Sequence, residues 1–94
     1  MSLREIPGVQ EPTVKHAKRL GWLAWKMKIE GRRGCPDFWF FRNGVLIIVE
    51  FKKLDGEREA QQVLRARDLK AAGHTVHVID SAEAGRALFD SMEG

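Results

Sequence analysis

Asn43-Gly44 constrains this chain more than any other pair of residues. An Asn-Gly step between apolar segments is the strongest short-range hairpin signal, because both central residues of the turn must take positive φ. A two-residue turn centred there fixes the register: Arg42 faces Val45, Phe40 faces Ile47, Phe38 faces Val49, and Asp37 falls opposite Glu50. Directly opposed residues have Cβ atoms roughly 4.5–5.5 Å apart, and like charges at that spacing repel. A chain that sets two carboxylates against each other at the end of its most apolar strand needs something positive between them, or a proton.

Lys52 lies two residues beyond Glu50 and therefore projects from the same face of the strand. Two acids and a lysine on one sheet face predict a divalent-metal site with a water-positioning cation beside it, which is the equipment of phosphodiester hydrolysis. Mg²⁺ suits such a site, since it is usually held by one or two carboxylates together with waters and phosphate oxygens. The main-chain carbonyl of Phe51 is a further candidate ligand, and Lys52 would hold or help deprotonate the attacking water. A surface hairpin carrying a solvated salt bridge contains the same residue types, and only the register separates the two readings.

The 94 residues suffice for one small domain, residues 1–94, with residues 1–10 as a lead-in segment. Apolar residues make up 44% and charged residues 31%, too apolar a balance for a disordered chain. The net charge of +3 and pI near 9.4 permit nucleic-acid binding without requiring it. A single cysteine, Cys35, excludes an intrachain disulfide and suits a reducing compartment. The longest apolar run, Val45 to Val49, is too short to span a membrane, and no signal-type apolar stretch opens the chain. An intracellular, cytoplasmic protein with no membrane association is the expectation.

Along the chain, Glu11-Pro12-Thr13 opens a helix that runs to about Leu20 and stops at Gly21. Trp22 to Ile29 alternates, with Leu23, Trp25, Met27 and Ile29 on one face and Lys26 and Lys28 on the other, which predicts a half-buried strand. Gly31 to Pro36 is a basic loop, followed by the hairpin strands 37–42 and 45–52. A long helix is expected from about Glu57 to Ala72, a β-branched strand over Thr75 to Ile79, and a last helix capped by Ser81 and reaching about Met92. The order α-β-β-β-α-β-α defines an α/β fold with a mixed central sheet flanked by helices.

Two further residues are candidates for the site. Glu11 either complements the helix dipole or, if Val14 faces the core, points inward along the Glu11, Val14, Ala17 stripe toward the metal. Gln62 shares a helical stripe with Ala66, Leu69 and Gly73 and should face the sheet, as a site residue or as a satisfied boundary glutamine. Lys15, Lys18 and Arg19 share one side of the first helix, Arg32 and Arg33 precede Asp37, and Lys53 follows the strand of Glu50. This clustering suits phosphate contacts, although runs of charge are also common on solvated faces.

The pattern Pro36-Asp37 … Glu50-x-Lys52 resembles that of the PD-(D/E)xK nuclease superfamily. More narrowly, the chain resembles the virus-type replication-repair nuclease (VRR-NUC) domain over roughly Glu11 to Phe89, through Gly34-Cys35-Pro36-Asp37, Val49-Glu50-Phe51-Lys52, Gln62 and the closing Val76-to-Ser81 segment. The resemblance implies Mg²⁺ or Mn²⁺ held by Asp37, Glu50 and the Phe51 carbonyl, with Lys52 catalytic, Glu11 completing the site and Gln62 supporting it. Position 59, often serine or threonine in the family, is Glu59 here. The resemblance further implies a stand-alone protein of phage or prophage type. The activity it implies is that of a structure-selective DNA endonuclease, foremost a four-way (Holliday) junction resolvase acting as a homodimer. A flap-type or nonspecific nuclease, a catalytically silent DNA-binding module, and a metal-stabilised interaction protein are the alternatives.

Overall fold

The computed structural model describes residues 8–27, 38–52, 58 and 60–93. Its elements follow the expected order: α1 (Gln10–Arg19), β1 (Leu23–Lys26), β2 (Phe38–Arg42), β3 (Val45–Phe51), α2 (Ala60–Ala71), β4 (Val76–Ile79) and α3 (Ala82–Asp90). The four strands form one sheet in the order β1-β2-β3-β4. The first two pairings are antiparallel, and β3 pairs with β4 in parallel. Parallel neighbours require a crossover, which α2 supplies. Asn43 (φ 50°) and Gly44 (φ 79°) take the left-handed conformations that the tight turn demands, and the register runs from Arg42–Val45 to Phe38–Val49 as the turn chemistry dictates.

Alternation along β3 gives the sheet two unlike faces. Ile47, Val49 and Phe51 point to the side covered by α1 and α3, where they pack with Phe38, Phe40, Ile79, Trp22 and Phe89. Aromatic rings knit this core: Phe40 and Phe89 have centroids 4.7 Å apart, and Trp22 meets Phe89 edge-on at 5.4 Å. The two helices approach each other at Thr13 and Gly85, where a Cβ on Gly85 would overlap Thr13 Oγ1 and lie 2.8–2.9 Å from its carbons. His16 Nε2 and Asp90 Oδ1, 2.7 Å apart, join the same helices at the surface. Arg42 closes this side of the molecule. Its guanidinium donates to the Leu20 carbonyl at the end of α1 and to Glu93 after α3, and stacks 4.6 Å over Trp22.

On the opposite face lie Ile48 and Glu50 of β3, with Val76 and Val78 their partners on β4. The helix α2 packs here against β4, yet none of its residues is buried. The β1 end of this face is uncovered. Leu23 and Trp25 are 52% and 54% exposed, while Ala24 is the residue of β1 that packs on the core. This corrects the expected phase of the strand, in which the larger apolar set is the half-buried one. The helix that covers β1, α1, lies on the Ala24 side, so the bulky alternate residues are left facing water. No helix among the described residues is long and apolar enough to cross a membrane.

Candidate active site at the end of β3

Glu50 is placed by its neighbours rather than by its own chemistry. Val49 and Phe51 anchor the strand in the core, so the residue between them must project to the other face. The strand lies inside the sheet, and Glu50 is consequently 1% exposed. An ionised carboxylate at that depth needs charged or hydrogen-bonding partners. Arg58 supplies them: its Nε donates to Oε2 at 2.9 Å and its Nη2 to Oε1 at 3.0 Å, a two-pronged fork. The hydrogen bond to Glu50 raises the Arg58 pKa above its ordinary value, against an opposing contribution from burial. Arg58 was not among the sequence candidates. The signal for it is indirect: a buried acid demands a cation, and Arg58, eight residues on, is long enough to reach back to it.

Lys52 follows on the same face at the end of β3, half-buried, with its backbone N–H bonded to the Ile79 carbonyl. This bond carries the β3–β4 pairing one residue past Phe51 and fixes where the lysine leaves the sheet. Gln62 is half-buried in the first turn of α2 while Gln61 is exposed, as the helical stripe predicts. Glu11 differs from the inward expectation. Its side chain is 67% exposed and pairs with Lys15 at 3.5 Å. The buried stripe of α1 is Val9, Thr13, Ala17, and Glu11 lies about 200° around the helix from the first two. Lys18 and Arg19 are exposed near the end of the same helix. Asp37, Arg32, Arg33 and Lys53 lie outside the described residues, and the observed register stops at Phe38–Val49, one position short of Asp37. Among the described residues, no three acidic, histidine or cysteine side chains gather as a metal cage.

Beside the site, an open cavity of about 270 Å³ is lined by Arg58, Arg67, Lys70 and Thr75 over an apolar floor that includes Val63 and Val76. Three cations therefore border the recess, and one of them, Arg58, is the residue that forks onto the carboxylate of Glu50.

A mixed four-stranded sheet, a hairpin ending in a buried glutamate, a lysine two residues on and helices on both faces together define the fold class of the PD-(D/E)xK nucleases. A search of family models finds no match to the chain. The chain is 34% identical over 90 residues to "Putative nuclease p44" of Acyrthosiphon pisum secondary endosymbiont phage 1, covering 94% of this chain and 96% of that protein. A solved structure described as a VRR_NUC domain superposes with a TM-score of 0.79 at 26% identity, covering 86% of this chain and 89% of that one. The chain belongs to the VRR-NUC nuclease family.

Proposed function

We propose that the protein is a metal-dependent, structure-selective DNA endonuclease that cuts four-way junctions as a homodimer. The observation that carries the nuclease reading is the burial of Glu50 at the end of β3, two residues before Lys52 and next to a recess bordered by Arg58, Arg67 and Lys70. A deeply buried acid beside a cationic recess suits a ligand that brings both a cation and phosphates. The donor chemistry fits Mg²⁺ or Mn²⁺: hard oxygen atoms, with Asp37, Glu50 and the Phe51 carbonyl as the holding set. Glu11 stands outside that set, since its carboxylate is in solvent beside Lys15. When bound, the metal supplies Lewis acidity toward a phosphoryl oxygen.

The chain's own residues perform the remaining tasks. Lys52 orients the attacking water and stabilises the negative charge that gathers on the phosphate as the new P–O bond forms. The ester P–O bond breaks as the water's proton passes to the leaving oxygen. Gln62, on the α2 turn facing the sheet, holds the site's polar edge by hydrogen bonding. Lys15, Lys18 and Arg19 on α1, with Arg32, Arg33 and Lys53, contact backbone phosphates and position the duplex arms without reading sequence.

Symmetric cutting of a junction needs two sites in fixed relation, which a two-fold dimer supplies. Leu23 and Trp25, exposed on the uncovered end of the sheet beside Phe41 and Trp39, are the surface assigned to the second copy. Phe38 and Phe40 take no part, because both are buried in the core.

Labelled four-way junction, flap, linear duplex and single-stranded DNA, incubated with Mg²⁺ or Mn²⁺, test this function. Paired nicks in the junction and none in the linear duplex are expected. Equal cutting of every substrate retains the nuclease and removes the selectivity, and DNA binding without cutting favours a silent binding module.

A further inference from the structure

The fork between Arg58 and Glu50 engages both oxygens of the carboxylate that the proposed function assigns to the metal. A divalent cation at those oxygens would sit within a few ångströms of a guanidinium whose charge is fixed. In a low-dielectric setting two like charges so close repel strongly. The side chain of Glu50 is 1% exposed, so water screens little of that repulsion, whereas that of Arg58 is 28% exposed and has a route outward. The route leads into the recess that Arg58 itself lines with Arg67, Lys70 and Thr75. A cationic recess of this kind accepts a phosphate, and guanidinium binds phosphate through the same fork it offers a carboxylate.

We propose that Arg58 is a placeholder cation, giving up Glu50 to the divalent metal and passing to a backbone phosphate in the Arg67–Lys70 recess. Metal-free protein is thereby spared a buried, unpaired carboxylate. Metal binding liberates a phosphate-binding guanidinium at the site, so metal and DNA each tighten the other's binding, as linkage requires. Arg58 is a positioning residue in this scheme. The inference rests on the reading of Glu50 as a metal ligand.

The test is calorimetric titration of Mn²⁺ into wild type, Arg58→Gln, Arg58→Lys and Glu50→Gln without DNA. The exchange predicts that Arg58→Gln binds Mn²⁺ about tenfold tighter than wild type, within the usual range of coupling between sites. Its melting temperature in EDTA should fall, and the rise on adding Mn²⁺ should exceed that of wild type. Arg58→Lys, which keeps the charge and loses the fork, should fall between the two, and it decides the matter if the glutamine variant does not fold. In a Lys52→Ala background, where DNA stays uncut, Arg58→Gln should weaken duplex binding in Mn²⁺ and leave it unchanged in EDTA. Unchanged or weaker Mn²⁺ binding in both Arg58 variants overturns the exchange, provided Glu50→Gln abolishes binding. If Glu50→Gln binds Mn²⁺ as wild type does, the metal reading of Glu50 itself falls. Duplex binding that ignores Arg58 in Mn²⁺ removes the passage to phosphate.

Discussion

The two faces of the sheet solve different problems with neighbouring residues. On the α1/α3 face, Phe38, Phe40, Val49, Phe51 and Phe89 exclude water, and the helices approach closely enough at Thr13 and Gly85 to leave no room for a methyl group. On the α2 face, no helical residue is buried, a charged pair sits at the end of β3, and Leu23 and Trp25 face solvent. Strand alternation makes this division nearly free of conflict. Val49 and Phe51 hold the backbone that aims Glu50, so packing is concentrated on one side and a buried charged pair is displayed on the other.

If that division holds, substitutions should sort by face. The largest loss of stability is expected from Phe40→Ala, which opens a fully buried site on the packed face; large-to-small changes of this type cost about 3–5 kcal/mol and are read by denaturant unfolding. Gly85→Ala comes next. Its new methyl meets Thr13, and overpacking of this kind costs about 1–3 kcal/mol, with partial recovery expected in the Thr13→Ala background. On the open face, Trp25→Ser should change the unfolding free energy by about 1 kcal/mol or less. Its effect belongs to association, and sedimentation should show the proposed dimer dissociating; a dimer that survives assigns the interface elsewhere.

The smallest expected effect is a pH slope from His77. Burial lowers its pKa below the ordinary value. The unfolded chain takes up a proton as pH falls through about 6.5, while the folded protein resists until its lower pKa. Stability therefore declines with falling pH across that window and levels off beneath it. His77→Gln should flatten this part of the melting-temperature profile.

The same division explains what the sequence made legible. The hairpin register follows from the left-handed demands of Asn43 and Gly44, a local steric fact. The end caps of α1 and α3 are equally local, Gly21 taking φ 91° and Ser81 accepting from the Ala84 N–H. The phase of β1 was not readable, because alternation gives a period and leaves open which face the helices cover. A stripe counted from Val14 aims Glu11 inward, whereas Val9, Thr13 and Ala17 set the buried line. Arg58 leaves no periodic trace in the sequence, because its pairing with Glu50 is a tertiary contact. Asp37, outside the described residues, is assigned by the hairpin register and by the resemblance of the Pro36-Asp37 motif.

The central claim is that the α2 face carries the chemistry while the α1/α3 face carries the fold. Lys52→Ala tests it in a single preparation, by Mn²⁺-dependent cleavage of labelled junction DNA alongside thermal melting. The account predicts a loss of cleavage of about 100-fold or more, the usual scale for removing one group that stabilises transition-state charge, with melting close to wild type. Cleavage that persists at the wild-type rate in a folded variant would contradict it.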